Sequence, residues 1–175
     1  MRLYLRPITE DDGAYIVKWR NSEKVLKHCM SKAPVTEESN RKYFREKVLT
    51  GKCIQFIVER IEEETGLVTY PIATIYLKDV DYENKRCELC VFTSSDIEWE
   101  MEGQVMAIKM ILEKAFSEYG MHKVYARTFY NEGIEMLKSV GFELEAVLKS
   151  EVLVDGEYKD IYRLSIFNPE GIISK

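Results

Sequence analysis

The sequence lacks the features that mark several classes of protein. Its 175 residues include only 9 glycines, 4 prolines and 2 histidines, and no segment is of low complexity. No apolar run reaches the roughly 18 residues of a membrane-spanning helix, and the first residues lack the apolar core of a signal peptide. These absences predict a folded, cytoplasmic protein that does not act in a membrane.

The chain also lacks an excess of positive charge. Its net charge is −5, with 31% charged and 46% hydrophobic residues. Nucleic-acid-binding domains carry basic surfaces, so this balance argues against nucleic acid as the main partner. The length suits one domain with a sizeable core, and we expect residues 1–175 to form a single domain.

Metal-ligating residues are scarce as well. Cys87 and Cys90 form a C-x-x-C, but they lie in a segment that alternates as a strand, so their side chains point to opposite faces. Cys29 and Cys53 supply no second pair of this spacing, and the two histidines, His28 and His122, are isolated. The sequence therefore predicts packed cysteines, with no metal site and no redox pair.

Hydrophobic periodicity orders the rest of the chain into alternating strands and helices. Thr9 and Thr36 are predicted to cap two helices near the front, Gly120 and Gly141 to end two later ones, and Asp155-Gly156 to turn a hairpin. The predicted strands are 2–6, 52–61, 70–80, 85–93, 122–129, 145–154 and 158–167, with an acidic turn at 62–66 and helices near 9–21, 36–48, 105–119 and 131–140. This order predicts an α/β fold whose mixed, mostly antiparallel sheet contains one parallel β-α-β crossover, flanked by about four helices.

One glycine marks the loop before the third of these helices. Residues 94–116 pass from an acidic loop into an apolar stripe, and Gly103 lies at the join. Backbone N–H groups at the start of a helix attract phosphate, so we expect residues 101–105 to bind one. Three glutamates, Glu98, Glu100 and Glu102, would repel an anion unless they point outward, and an ordinary acidic loop is the alternative.

Several motifs together resemble the GCN5-related N-acetyltransferase (GNAT) superfamily over nearly the whole chain. They are "CEL" at the head of a central strand, a helix after a glycine-bearing loop, "NEGIEMLKSVGF", and the closing Asp-Gly hairpin. "YLRPITEDD", "WRN" and "GQV" are similar to the subgroup of ribosomal-protein and amino-sugar nucleotide N-acetyltransferases. The resemblance implies transfer of an acetyl group from acetyl-CoA to a primary amine in a ternary complex, without a metal.

The resemblance also implies a set of site residues. Glu88 corresponds to a proposed catalytic base, and burial on a largely apolar strand would raise the pKa of its carboxyl group toward a useful value. A solvated glutamate paired with Lys85 or Arg86 is the alternative. Arg20, Met30 and Tyr130 are expected to bind the acceptor. The residues expected to bind the cofactor are Cys90, Val91, Phe92, Met101, Glu102, Gly103, Gln104, Val105, Asn131 and Lys138.

The chain departs from the family pattern at two points. The phosphate-loop pattern Gln/Arg-x-x-Gly-x-Gly/Ala falls on Glu98, Met101 and Gly103, so one glycine of it remains. Many members carry a tyrosine that acts as general acid, and Leu137 stands at its position in this chain. Ser139 and Tyr130 are the candidate substitutes.

These departures leave several functional readings open. The acceptor is expected to be a small amine such as an amino-sugar nucleotide, with a protein N-terminus as the second choice. A longer acyl donor and a non-catalytic binding module are also compatible with the residues. Pairing of two chains through an edge strand of the final hairpin is left open.

Overall fold

A computed structural model describes residues 2–61, 69–96 and 99–170. The predicted acidic turn at 62–66 and the loop residue Glu98 lie outside these ranges. The described strands are β1 (Arg2–Pro7), β2 (Ile54–Ile61), β3 (Thr69–Asp81), β4 (Arg86–Thr93), β5 (Lys123–Thr128), β6 (Glu143–Val154) and β7 (Glu157–Phe167). The helices are α1 (Gly13–Arg20), α2 (Glu23–Leu26), α3 (Glu37–Tyr43), α4 (Met101–Ser117) and α5 (Asn131–Val140), and a π-helical turn, Phe44–Val48, continues α3.

The strands form a seven-stranded sheet in the order β1-β2-β3-β4-β5-β7-β6. Among the described strands β4 and β5 are the one parallel pair, and α4 makes the crossover between them. The predicted α/β fold with a mixed, mostly antiparallel sheet is therefore confirmed, with five helices in place of about four. The additional helix is α2, a single turn that Ser22 begins by accepting a hydrogen bond from the Val25 N–H.

One face of the sheet packs against α4. The stripe predicted for this helix is buried at Ile108, Ile111, Leu112 and Ala115, which lie in the same core as Leu77 and Leu89 of the sheet. Burying each large aliphatic side chain contributes about 1.5–3 kcal/mol, so the contact between α4 and the sheet stabilises the fold.

The opposite face of the sheet is covered at its front by α1. Ile16 and Trp19 pack against Ile57, with Phe92 at the edge of the cluster. Asn21 follows α1 as its C-cap, as predicted, and its side-chain amide bonds both the N–H and the C=O of Val35. The loop between α2 and α3 is thereby held beside the end of α1.

Two helix starts differ from the prediction. Residues 101–104, expected as loop, already form the first turn of α4, and Glu100 occupies the N-cap. In α5 an Asn at the head of "NEGIEMLKSVGF" predicts the cap, but the N-cap is Tyr130 and Asn131 is the first helical residue. Sequence patterns locate helix boundaries less reliably than they identify the helices themselves.

Candidate active site

The strands β4 and β5 separate in the middle of the sheet. Their parallel pairing covers Arg86 to Glu88 against Lys123 to Tyr125 and then stops, although β4 continues to Thr93 and β5 to Thr128. Beyond Glu88, the edge of β4 that faces β5 has no strand partner among the described residues. Such an edge offers free backbone N–H and C=O groups to a ligand.

The residues expected to contact the acyl group lie on this free stretch. Cys90, Val91 and Phe92 pair with β3 on their other side, opposite Tyr76, Ile75 and Thr74. Burial raises the pKa of the Cys90 thiol to about 12, so the thiol stays protonated and unreactive at neutral pH. The backbone of these residues is therefore better suited than their side chains to contact a ligand.

Helix α4 begins beside the loop that leaves this stretch of β4. Gln104 is the first residue whose N–H bonds back within the helix, to the Glu100 C=O, so the N–H groups of Met101, Glu102 and Gly103 have no intrahelical acceptor. Glu100 and Glu102 are exposed, as a phosphate site would require, whereas Gly103 is buried. These free N–H groups and the positive end of the helix dipole fit a phosphate group.

A buried donor with no partner lies next to this helix start. Trp99 is 6% exposed, and its indole Nε1 has no hydrogen-bond partner among the residues that the structure describes. Gln104 reaches back to bond the Trp99 C=O at 3.2 Å, which fixes the tryptophan backbone, and the Val105 side chain packs at the edge of the core. A buried unpaired N–H is costly, so it also fits an acceptor group supplied by a ligand.

Glu88 lies on the face of the sheet opposite α4. Its side chain is 4% exposed, and it accepts hydrogen bonds from Arg127 Nε at 2.9 Å and Arg127 Nη2 at 3.1 Å. Lys78 Nζ lies 3.5 Å from the same carboxylate. The predicted partners Lys85 and Arg86 are wrong, because Arg86 instead contacts Asp81 at 3.3 Å.

Sequence alternation predicted the face on which Glu88 lies but missed its two cations. Lys78 is directly opposite Glu88 on β3, and Arg127 is two residues beyond its partner Tyr125 on β5. The hydrogen bonds that Arg127 donates to Glu88 outweigh burial and raise the pKa of Arg127, so this guanidinium is permanently charged. Burial lowers the pKa of Lys78, but the neighbouring Cys90 and Glu88 raise it more, so this side chain is also cationic.

The residues expected to bind the acceptor lie at the other end of this face. Arg20 donates to the Ser31 C=O at 2.9 Å, while its second terminal nitrogen is buried and has no hydrogen-bond partner within the described ranges. Tyr130 stacks on His28 with 4.2 Å between ring centroids. Burial and the nearby Cys29 raise the pKa of Tyr130. Arg20 lowers the pKa of Cys29, against the larger effect of burial, so the three side chains lie close together. Met30 lies half-buried in the loop that follows His28 and Cys29.

The two candidate substitutes for the missing tyrosine differ in what they can supply. Leu137 is 5% exposed within the core, so this position contributes packing and no proton. The Ser139 hydroxyl donates to the Met136 C=O at 2.7 Å within its own helix, which uses its one proton. Tyr130 remains, although its raised pKa makes it a weak acid.

The remaining expected residues lie at the two ends of α5. Asn131 is exposed in the first turn, and Lys138 is exposed in the last turn, 3.5 Å from Glu135. Gly133 was not singled out from the sequence. A Cβ at Gly133 would lie 2.6 Å from Thr128 Oγ1 and 3.0 Å from the Tyr130 ring, so glycine lets α5 approach the end of β5.

Three further observations concern membrane spans, metal ligands and cysteines. No helix in the described part of the chain is long and apolar enough to cross a membrane. Within residues 2–61, 69–96 and 99–170 no three His, Cys, Asp or Glu side chains are grouped to hold a metal ion. Cys87 is fully buried in the core while Cys90 lies on the other face, and all four cysteines are free, as the alternation predicted.

Comparison with solved structures shows the same fold. The crystal structure of spermidine N-acetyltransferase from Vibrio cholerae in complex with CoA and spermine superposes with a TM-score of 0.85 at 17% identity, over 95% of each chain. A dodecameric structure of the Vibrio cholerae enzyme in an intermediate state superposes with a TM-score of 0.77 at 18% identity, over 96% of this chain and 95% of that one.

Comparison of sequences agrees with the structural likeness. Spermidine N(1)-acetyltransferase of Escherichia coli (strain K12) is 24% identical over 93% of this chain and 84% of its own length. These relatives do not support the subgroup of ribosomal-protein and amino-sugar nucleotide enzymes that the front of the chain resembles. The family model described as "Acetyltransferase (GNAT) domain" matches residues 2–132. The chain therefore belongs to the GNAT acetyltransferases, which are N-acetyltransferases that use acetyl-CoA.

Proposed function

We propose that this N-acetyltransferase acts on the primary amine of a small molecule, and that the acceptor binds on the Glu88 face of the sheet. The observation that carries the proposal is the separation of β4 and β5 after Glu88 and Tyr125, beside the free N–H groups of α4. When bound, acetyl-CoA supplies an activated acetyl group as a thioester.

Each group of residues has a separate task in this proposal. The N–H groups of Met101, Glu102 and Gly103 bind phosphate, and the β4 backbone at 90–92 orients the acyl carbonyl. Glu88 accepts a proton from the ammonium group of the acceptor, and the resulting neutral amine attacks the thioester carbonyl. A thiol has a pKa near 8.5, so the thiolate leaves adequately without an acid at Leu137.

A polyamine is the first candidate for the acceptor. The basis is that the sequence relative and the structural neighbours are spermidine N-acetyltransferases, one of them solved with spermine. Spermidine and spermine are therefore the first amines to assay.

An amine that carries a phosphate, such as an amino-sugar nucleotide, is the second candidate. One observation favours it, because Arg20 has a buried terminal nitrogen with no partner, and guanidinium groups pair strongly with phosphate. Arg20→Ala is then expected to raise KM for a phosphorylated acceptor far more than KM for acetyl-CoA. Equal effects on both constants would remove Arg20 from the acceptor site.

Calorimetry with acetyl-CoA tests the cofactor site before any acceptor is known. Micromolar binding with turnover of at least one amine supports the enzyme, whereas binding without turnover of any amine indicates a non-catalytic module. Amines should include a peptide N-terminus, and longer acyl-CoA donors should be titrated in parallel.

Dephospho-CoA in the same titration tests Lys138. If Lys138 contacts the 3′-phosphate, Lys138→Gln should weaken acetyl-CoA binding and leave dephospho-CoA binding unchanged. Lys149→Gln is the matched control, because Lys149 is also exposed and paired, with Asp160 at 2.9 Å on the distant hairpin.

Self-association through β6 is a further part of the proposal. β6 is the last strand in the sheet order, and the hairpin exposes Leu144, Leu153 and Tyr158. An unpaired edge with apolar side chains favours pairing with a second copy. Light scattering of the purified chain measures the assembly directly.

A further inference from the structure

A cleft rich in lysine lies next to Glu88 on the acceptor face. Its volume is about 520 Å³, which is within the usual range for small-molecule sites. We call it the lysine cleft, and the residues that line it are Tyr43, Lys47, Lys52, Lys78, Asp79 and Val80.

The lysine cleft carries a positive charge in an acidic protein. The lining contains three lysines against one carboxylate, Asp79, whereas the whole chain has a net charge of −5. Lys47 and Lys52 are exposed, and neither has an ion-pair partner within 4.0 Å in the described part of the chain. Because Lys78 is paired with Glu88, Lys47 and Lys52 supply the excess positive charge, and a concave site with such an excess concentrates anions.

The backbone of the two unpaired lysines is held in place. The Lys47 C=O accepts a hydrogen bond from the Cys53 N–H at 2.9 Å, and the Lys52 C=O accepts one from the Val80 N–H at 3.2 Å. Between them Gly51 turns the chain with φ of 74°, and its C=O accepts a hydrogen bond from the Tyr82 hydroxyl at 2.9 Å. The positions of Lys47 and Lys52 are therefore fixed before any ligand arrives, which reduces the entropy lost on binding.

Lys78 joins the cleft to the candidate base. It lines the cleft and lies 3.5 Å from Glu88, on the sheet face opposite α4. The preceding residue, Leu77, points to the other face and is buried in the core with the α4 side chains. Lys78 pairs with Glu88 near the start of β4, whereas α4 begins after the other end of this strand. Phosphates of a cofactor held at the start of α4 therefore lie away from the lysine cleft.

We propose that the lysine cleft binds an anionic group, a phosphate or a carboxylate, that is part of the acceptor amine. The inference rests on the proposed function and selects between its two candidates. A polycation such as spermidine would meet three lysines here, whereas an amine with a phosphate would place opposite charge in the cleft and its nitrogen toward Glu88. Nearby cations also lower the pKa of a bound ammonium group, which increases the fraction of the acceptor that is a neutral, nucleophilic amine.

Phosphate binding to CoA-saturated protein tests the site without any turnover. Inorganic phosphate is titrated and followed by the ³¹P line width, with the start of α4 already filled by CoA. Each of two partly solvated charge contacts changes the affinity by a factor of roughly 1.5 to 5. The double variant Lys47→Gln/Lys52→Gln should therefore bind phosphate about fivefold more weakly. Lys109→Gln is the matched control, because Lys109 is an exposed lysine on α4 and should change nothing.

Kinetics with matched acceptors test whether the bound anion belongs to the substrate. Glucosamine and glucosamine 6-phosphate differ only in the phosphate, and spermidine is the polycation. The wild type should have a higher kcat/KM for the phosphorylated amine than for glucosamine. In the double variant this ratio should fall about fivefold, because KM for the phosphorylated amine rises.

The possible results separate the two proposals. If phosphate does not bind, or if the double variant and Lys109→Gln lose equal phosphate affinity, the proposal of an anion site in the lysine cleft is wrong. The proposal that the protein is an enzyme is then unaffected. Spermidine as the best substrate, unaffected by the double variant, overturns the anionic acceptor. Phosphate binding through the cleft without acetylation of any amine contradicts the proposed function and the assignment of the cleft to an acceptor.

Discussion

Glu88 is held between cations from two neighbouring strands, with Arg127 on one side and Lys78 on the other. Removing one partner of a buried ion pair leaves an uncompensated charge and costs about 3–5 kcal/mol, although the partial exposure of Arg127 reduces this. The same carboxylate is therefore placed to serve both stability and proton transfer.

Glu88→Gln separates these two roles at the scale of one residue. If Glu88 is the base, kcat should fall by about 10²–10⁴ because general-base catalysis is lost, while affinity for acetyl-CoA is retained. The limb of the pH–rate profile that reports this base should disappear as well. Kinetics across pH and calorimetry with acetyl-CoA make the measurement.

A purely structural Glu88 predicts a different result. The melting temperature would fall while kcat and its pH profile stay as in the wild type. Glu59→Gln is a matched control, because Glu59 is also a buried glutamate paired with an arginine, Arg6 at 2.8 Å, and lies on β2, which β3 separates from β4 and β5. It should leave kcat unchanged.

At the scale of elements, the contact between β5 and α5 depends on a residue with no side chain. Gly133 lies in the first turn of α5, where Thr128 Oγ1 and the Tyr130 ring leave no room for a Cβ. The start of α5 and Tyr130 are consequently fixed relative to the end of β5. The acceptor end of the site depends on that placement.

Gly133→Ala should therefore destabilise the protein, against the usual trend for helices. Alanine normally stabilises a helix interior relative to glycine by about 1 kcal/mol. Here the crowding should outweigh that gain and lower the free energy of unfolding by about 1–3 kcal/mol. Urea denaturation measures the difference.

Gly13→Ala is the control for this prediction. A Cβ at Gly13, the first residue of α1, would meet only the end of the flexible Asn40 side chain, at 3.1 Å. This variant should change the free energy of unfolding by less than about 1 kcal/mol. A Gly133→Ala protein as stable as Gly13→Ala would show that α5 moves freely.

At the scale of the whole molecule, one ion-pair cluster joins the front of the chain to the sheet. Arg6 on β1 contacts Asp12 before α1 and Glu59 on β2, each at 2.8 Å, and Asp12 is 5% exposed. Burial raises the pKa of Asp12, but hydrogen bonds from Arg6 and Thr9 lower it more, so the net shift is downward. Thr9 is an N-cap, as predicted, and Asp12 accepts a hydrogen bond from the Thr9 N–H at 2.8 Å.

The lowered pKa of Asp12 gives stability a defined dependence on pH. A carboxyl group whose pKa is lower in the folded state stabilises the fold above its ordinary pKa near 3.9, and this contribution is lost as pH falls through the folded value. Asp12→Asn should therefore destabilise the protein by about 1–3 kcal/mol at pH 7, because hydrogen bonds to a charged group are lost. The deficit should shrink below about pH 4.

Thermal melts of wild type and variant between pH 7 and pH 3 make this measurement. Asp11→Asn is the adjacent control, because Asp11 is exposed and makes no ion pair in the described part of the chain. Its effect should be small at every pH. A deficit of Asp12→Asn that stays constant down to pH 3 would contradict the assignment.

The sequence by itself determined the elements and the faces of the sheet. The alternation around Glu88 placed Cys87 in the core and Cys90 on the other face, and the apolar stripe of α4 predicted its buried side. These features depend on periods of two and 3.6 residues, which are local properties of the chain. The motifs in the same segments were enough to identify the family.

Only the tertiary structure decided which side chains meet. Arg127 and Lys78 reach Glu88 because β3 and β5 flank β4 in the sheet, and the lysine cleft joins residues from the loop after α3 with the end of β3. Neither arrangement follows from local periodicity, because strand register and loop placement are set by packing over the whole chain. Short segments of the sequence therefore determine the strands and helices of the site, whereas contacts between distant segments determine which charged side chains meet there.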